Sequence, residues 1–261
     1  AYETAISLIQ RGINIEAIID NREEVDSKLV YEVEKNNIKI FKGYTVTDTF
    51  GYKRINRISI KQLSKDGQKV VGSRINLSCD CLGVSGGWTP AVHLFTQSGG
   101  KLKFREEDQV FIPNIYPSDQ LSIGSCNGDF TLDEILINTQ KSLKEFLNIK
   151  NTEYENLEIL SSSNKLKRNI WLLPSDKVLG KTKSFVDYQN DATAKDIKLA
   201  LREGFRSIEH VKRYTTTGMG TDQGKLGNMH ALGIIADTAG VKMGELGTTT
   251  FRPPYTPLTF G

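Results

Sequence analysis

Two successive helix–strand alternations fill residues 1–42, and no other stretch narrows the possible folds as far. "AYETAISLIQRG" spaces Ala5, Leu8 and Ile9 for one helical face and stops at Gly12, a residue suited to a helix C-terminus. "INIEAIID" follows as an apolar run ending in Asp20, the pattern of a buried parallel strand. "REEVDSKLVYEVEKNN" then places Val25, Leu29 and Val33 four apart, and "IKIFKG" reads as the next strand. This rhythm predicts an α/β fold with a doubly wound, Rossmann-like sheet.

The rhythm then changes. "YTVTDTFG", "RINRISIKQLS" and "QKVVGSRINLSCDCLGV" are strand-like and separated by turn signals at Gly51-Tyr52 and Asp66-Gly67, so an antiparallel β-meander interrupts the α/β pattern. The chain is expected to return through a strand at "CDCLGV", cross "SGGWTP" and enter a helix from Pro90 to about Gln97. Residues 119–143 read as strand, glycine turn and helix, with Thr131 and Glu134 placed for a capping box. The resulting division is an α/β domain over 1–143, a polar basic linker over 144–186, a small all-helical module over 187–243 and an extended, proline-rich stretch over 244–261. In the module, Thr193 with Asp196, Ser207 and Asp222 are expected to cap three helices.

Charge excludes some functions. Residues 1–140 carry 16 Lys/Arg against 18 Asp/Glu, residues 187–261 carry 9 against 8, and the stretch between them carries 9 against 5. The positive excess therefore sits in the linker and lacks the aromatic interleaving of a nucleic-acid surface. No run of eighteen apolar residues is present, so no membrane span is expected. Cys79, Cys81 and Cys126 have neither zinc spacing nor a disulfide pattern, which fits a reduced, cytoplasmic setting. His93, His210 and His230 likewise lack metal-ligand spacing and read as core or surface residues. The start "AYETAISLIQRG", without Met, and the end "YTPLTFG" read as those of a piece of a longer protein.

Four places suggest ligand chemistry. Asp20, at a strand end and followed by Arg22, can accept hydrogen bonds from a ribose diol, although strands often end in Asp for structural reasons. In "GVSGGWTP", Gly86, Gly87 and Trp88 suit a backbone crossover against a flat ligand, or a tryptophan packed in an interdomain core. In "SIGSCNGDF", Gly124, Asn127 and Gly128 precede a helix, where backbone N–H groups favour a pyrophosphate; an ordinary tight turn reads the same. In "RYTTTGMGTDQGK", hydroxyls, glycines and a lysine at a helix start can form a phosphate cradle or a plain helix–helix turn.

Four stretches together resemble the α subunits of heterotetrameric sarcosine oxidase: "AYETAISLIQRGINIEAIIDNR", "VSGGWTPAVHLFTQSGGKLKF", "FVDYQNDATAKDIKLALREGFRSIEHVKRYTTTGMGTDQGK" and "GTTTFRPPYTPLTFG". The resemblance implies a two-dinucleotide-domain flavoprotein fold whose first strand and glycine turn precede Ala1 and whose folate-binding domain follows the C-terminus. It implies NAD on this chain, FMN shared with a partner subunit, and FAD on a partner. The reaction implied is oxidative demethylation of sarcosine, with tetrahydrofolate taking the one-carbon unit and oxygen the electrons. Amine oxidation falls on the β subunit, so no catalytic residue is assigned here. The β, γ and δ subunits are the implied partners, with neither nucleic acid nor membrane among them. Thr216, Thr221, Gln223 and Lys225 are the implied FMN contacts, and Arg252 is either a further contact or an interdomain anchor.

The module over 187–243 also resembles the small [2Fe–2S] domains of related dehydrogenases. In that layout the four thiolate positions fall on Asp187, Gln189, Asp222 and Gly227, so no iron–sulfur cluster is expected. Two alternatives remain open: a subunit of a related amine, proline or opine dehydrogenase, and a non-catalytic scaffold.

Overall fold

In the computed structural model, residues 1–25, 28–117, 119–149, 170–177 and 181–252 are described. Strands β1 (Ala17–Asp20) and β2 (Lys39–Lys42) pair in parallel, with Asp20 opposite Lys42. Helices α1 (Tyr2–Ile9) and α2 (Lys28–Lys35) precede them in the expected order. Alternation along the two strands divides their side chains between two cores. Ile18 joins Tyr2, Ala5, Val30, Val33 and Ile38 on the helical side. Ala17, Ile19 and Phe41 pack instead against Ile58, Ile60 and Leu77 of the meander. A two-stranded parallel ribbon is thus covered by helices on one face and by an antiparallel sheet on the other.

That sheet runs in the order β3 (Tyr44–Gly51), β4 (Ile55–Leu63), β5 (Val70–Ser78), all antiparallel. Its second hairpin closes at Asp66-Gly67 as expected, with Leu63 opposite Val70 and Gly67 at φ +66°. The expected return strand "CDCLGV" does not form, because β5 ends at Ser78 and residues 79–92 take no regular structure.

The chain divides at a different place from the expected one. One compact unit comprises Ala1–Gly87 with Leu173–Lys181, and the other comprises Trp88–Leu172 with Thr182–Gly261. Part of the stretch expected to be linker is tied to the three-stranded sheet for an electrostatic reason. Asp176 pairs with Lys61 at 2.9 Å, and the Asp48 side chain, 10% exposed, holds both Lys177 and Arg74, the latter at 3.1 Å. Within the second unit, Trp171 lies against Gly233, where an added Cβ would stand 2.0 Å from the indole. The remainder of the expected linker, 150–169 and 178–180, lies outside the described residues, as do 253–261 of the expected extended end.

The second unit opens with α3 (His93–Gln97) and an antiparallel hairpin of β6 (Lys101–Arg105) and β7 (Val110–Ile115). Residues 119–123 form no strand; a single 3-10 turn over Gly124–Asn127 leads to α4 (Leu132–Phe146). Thr131 and Glu134 form the expected capping box on α4. The module then begins with a short antiparallel pair, β8 (Phe185–Asp187) and β9 (Ala192–Thr193), so it is not wholly helical. Helices α5 (Ala194–Arg202), α6 (Ile208–Thr215), α7 (Asn228–Ala239) and α8 (Met243–Leu246) follow. Ile197 and Ala200 of α5, Val211 of α6 and Leu232, Ile234 and Ile235 of α7 are buried in this unit. Thr193 and Asp196 form the second expected capping box. Ser207 occupies its N-cap position without a side-chain bond, and Asp222 caps nothing, because α7 starts six residues later behind Gly227.

Candidate functional site

The predicted site residues fall in both units, and each group is described within its own. In the first, Asp20 is already fully engaged. Its Oδ1 accepts from the Arg22 backbone N–H and Nε, both at 3.0 Å. Its Oδ2 accepts from Arg22 Nη2 at 2.8 Å and from the Tyr2 hydroxyl at 2.9 Å. A carboxylate offers about four acceptor positions, so a ribose diol must displace a donor already in place. Burial alone would raise the Asp20 pKa, but the bonds from Arg22 outweigh it and hold the carboxyl below its ordinary value. Burial, followed by the Asp20 contact, keeps the Tyr2 phenol above its own.

Gly86 and Gly87 stand in an exposed segment, and Gly87 has φ +102° with nothing within 4 Å of an added Cβ. Trp88 is 84% exposed. Arg105 Nη2 donates to the Gly128 carbonyl at 2.9 Å, and a Cβ at Gly128 would stand 2.6 Å from that same nitrogen. Gly128 (φ +87°) therefore makes room for an arginine of β6. Asn127 ends the 3-10 turn beside it.

The loop between α6 and α7 is the most organised of the candidates. Asp187, 5% exposed, anchors it: Oδ1 accepts from the backbone N–H groups of Gln189 (2.8 Å) and Asn190 (3.0 Å). Oδ2 accepts from Gly218 N–H at 2.7 Å and Asn190 Nδ2 at 3.3 Å. These bonds, Gly218 foremost, overcome the effect of burial and lower the Asp187 pKa. Gln189 continues the attachment. Its Oε1 accepts from Asp222 N–H at 3.1 Å, and its Nε2 donates to Thr221 Oγ1 at 3.0 Å. Asn228 fills the interior of the loop and donates to Thr249 Oγ1 at 2.9 Å; a Cβ at Gly224 would stand 2.1 Å from its Oδ1.

Two of the predicted contacts are held in left-handed backbone, Thr216 at φ +60° and Gln223 at φ +51°. For a β-branched threonine this costs about 1–3 kcal/mol, a strain found mostly where function maintains it. Gln223 accepts from Arg252 N–H at 3.4 Å, which ties the segment after α8 to the loop through the Arg252 backbone.

Asp187, Gln189, Asp222 and Gly227 line one cleft of ≈ 280 Å³ together with Val186, Tyr188, Lys225 and Leu226. The four positions matched to thiolates thus do converge. Their donors do not suit a [2Fe–2S] cluster: one position has no side chain, another is an amide, and the Asp187 carboxylate is saturated by N–H groups. Among the described residues, no group of three or more His, Cys, Asp and Glu could hold a metal ion. No helix among them is long and apolar enough to cross a membrane.

Sequence reasoning missed the bonding of Asp187 and Gln189, whose only signal was their position in the thiolate layout. His93, expected as a core or surface residue, is 6% exposed and lies against Phe251 with ring centroids 3.8 Å apart and planes tilted by 42°. Burial, reinforced by Lys225, pushes its pKa down to about 4. The neighbouring hollow, of ≈ 30 Å³, has room for about one water.

Comparison with known proteins agrees with this architecture. The sarcosine oxidase α subunit of Rhizobium meliloti (strain 1021) is 33% identical over 269 residues, covering 100% of this chain and 25% of its own. An opine oxidase subunit of the same organism is 35% identical over 71 residues, or 27% of this chain and 16% of its own. The crystal structure of L-proline dehydrogenase from P. horikoshii superposes with a TM-score of 0.62 at 17% identity, over 99% of this chain and 52% of that one, and so shares its fold. The family model of the sarcosine oxidase A3 domain matches residues 181–261. The chain spans about a quarter of the length of the curated α subunits it matches. Along its whole length the chain is homologous to part of the sarcosine oxidase α subunits, and its residues 181–261 match the sarcosine oxidase A3 domain family.

Proposed function

We propose that this chain is the nucleotide-binding stretch of the α subunit of a multi-subunit flavoenzyme, an oxidoreductase acting on the CH–NH group of sarcosine. In this reading the enzyme demethylates sarcosine to glycine, passes the one-carbon unit to tetrahydrofolate and delivers electrons to oxygen. The β subunit, with FAD, oxidises the amine, and the γ and δ subunits complete the assembly. The observation that carries the reading is the end-to-end similarity to sarcosine oxidase α subunits. The fold proposed with this reading is a two-dinucleotide-domain flavoprotein fold, with 187–243 a cluster-free relative of the [2Fe–2S] modules.

The first unit fits NAD in one specific way. A ribose hydroxyl can replace the Tyr2 hydroxyl on Asp20 Oδ2, one O–H donor for another, while Arg22 continues to hold Oδ1. Gly86 and Gly87 of the same unit offer open backbone to a flat ligand, and the exposed Trp88 indole, which begins the second unit, is a further proposed contact. Gly124, Asn127 and Gly128, which belong to the second unit, are the proposed backbone contacts of a pyrophosphate, with the Arg105 guanidinium bonded to the Gly128 carbonyl beside them.

In the second unit, Thr216, Thr221, Gln223 and Lys225 are the proposed contacts of an FMN shared with a partner subunit. FMN, when bound, supplies a two-electron relay between amine oxidation on the partner and oxygen. The chain's own part is binding: Lys225, on the cleft wall, offsets phosphate charge, and the Thr221 hydroxyl offers a hydrogen bond. The strained backbone at Thr216 and Gln223 supports a ligand role for the loop.

Ligand release tests the reading. The full-length subunit, produced with its partner subunits, is denatured; freed small molecules are identified by mass and iron is assayed alongside. NAD and flavin without iron support it, whereas iron, or no ligand at all, refutes it. A second reading, a subunit of an opine or other amine dehydrogenase, is favoured by the match to the opine oxidase subunit. Turnover of an opine and not of sarcosine by the same complex would select it.

A further inference from the structure

We propose that Gln189 is a positioning residue that fixes the Thr221 hydroxyl as a hydrogen-bond donor to a bound ligand oxygen. The inference rests on the reading of this loop as a flavin-phosphate contact. Three observations carry it. First, the Asp222 backbone N–H points at the Gln189 amide from 3.1 Å, and an N–H can only donate, so the atom facing it must be Oε1. Second, the other end of the amide is then Nε2, which lies 3.0 Å from Thr221 Oγ1 and must donate to it. Third, among the described residues the exposed Thr221 hydroxyl donates to no acceptor.

A threonine oxygen that accepts from an amide must turn its proton elsewhere. The proton therefore faces away from Gln189, so an occupant of the loop's edge that presents an acceptor, such as a phosphate or a ring carbonyl oxygen, meets a donor already turned toward it. Gly220 is what allows the arrangement, since a Cβ there would meet Gln189 Oε1 at 2.2 Å. Asp187 fixes the other end of the same loop through Gly218 N–H.

Gln189→Glu separates this role from a structural one. The introduced carboxylate still accepts from Asp222 N–H, but its second oxygen now accepts from the Thr221 O–H and draws the proton inward. FMN is titrated by flavin fluorescence into the flavin-free full-length protein, assembled with its partner subunits, at pH 8. Gln189→Glu and Thr221→Val should each weaken binding about tenfold, the scale of one hydrogen bond, and the double variant should be no weaker than either single one. As pH falls through the ordinary glutamate range near 4.3, the introduced carboxyl gains a proton and becomes a donor, so Gln189→Glu regains wild-type affinity while Thr221→Val does not. Asp187, Asp222 and Lys225 share the cleft in both proteins, so the ratio of affinities at each pH cancels their contribution.

Singles that multiply to about a hundredfold, or affinity unchanged in either one, overturn the inference. Wild-type protein that fails to bind FMN overturns the flavin reading instead. The orientation itself is then decided by amide exchange: Asp222 N–H should exchange faster in Gln189→Ala than in wild type, and equal rates overturn it.

Discussion

Replacing Asp187 with asparagine removes one charge and turns one acceptor into a donor at a position where four N–H groups converge. Whichever way the new amide turns, its NH2 faces donors. The less costly orientation keeps an oxygen toward the Gln189 and Asn190 backbone and sets the NH2 against Gly218 N–H and Asn190 Nδ2. Asn190 is exposed and can turn to water, whereas Gly218 is buried and cannot. An unsatisfied buried N–H costs about 1–3 kcal/mol, and losing the charge weakens the two remaining bonds by up to about 1 kcal/mol each. The expected loss of stability is therefore on the order of 3 kcal/mol. Urea unfolding of the full chain at pH 7 measures it, provided the m-value is unchanged. Amide exchange at Gly218 should accelerate while the meander strands keep their protection. A loss under about 0.5 kcal/mol with unaltered exchange at Gly218 would refute the anchoring role.

The same carboxylate fixes a pH dependence. Its folded pKa is depressed, because the N–H bonds outweigh burial. A depressed acid stabilises the fold fully above its unfolded value, about 3.9, and loses that contribution as pH falls through the folded value. Wild type and Asp187→Asn should thus differ by a constant amount between about pH 5 and 8 and converge below about pH 4.

Other perturbations have equally definite outcomes. Tyr2→Phe removes one donor from Asp20 and should lower stability by about 1 kcal/mol in urea unfolding while leaving NAD affinity equal or higher; a tenfold loss of affinity would show that the phenol itself meets the ligand. Asp48→Ala releases Arg74 and Lys177 together, and because both cations are partly exposed the unfolding free energy should fall by only about 1–2 kcal/mol. Gly224→Ala combines φ +71° with a Cβ 2.1 Å from Asn228 Oδ1, and should cost about 3 kcal/mol or more. Gly240→Ala has a similar φ of +68° with nothing within 4 Å, and should cost only about 1 kcal/mol; equal costs at the two sites would mean that the contact with Asn228 is irrelevant.

The parts of the fold legible in the sequence were those fixed by local periodicity or local capping. The parallel pair was visible in the apolar runs at 17–20 and 39–42, the second hairpin in Asp66-Gly67, and two capping boxes in Thr131/Glu134 and Thr193/Asp196. What failed depended on distant partners. "CDCLGV" has strand composition, but β5 has already ended at Ser78. The hairpin at 101–115 was missed although Leu102 and Phe104 alternate with polar residues, because its second strand is buried at four successive positions from Val110 and does not alternate. The polar stretch 144–186 read as linker because ion pairs such as Lys61–Asp176, more than a hundred residues apart in sequence, leave no periodic signal.

The candidate site was legible as a set of positions but not as chemistry. Sequence position assigned Asp20 to a ribose and left Asp187 without a task, yet the two share one arrangement: a shielded carboxylate whose oxygens are filled by donors from its own chain. Such a group meets a ligand only by exchanging a donor or by acting through a neighbour. At Asp20 the exchangeable donor is the Tyr2 hydroxyl, because Arg22 is held by three bonds and Tyr2 by one. At Asp187 three of the four donors are backbone N–H groups that cannot leave without unfolding the turn, so it holds the loop while Gln189, two residues on, sets the direction of Thr221. A motif scan reads both aspartates as the same letter. The number and kind of donors around each is what separates an exchangeable ligand contact from a fixed support.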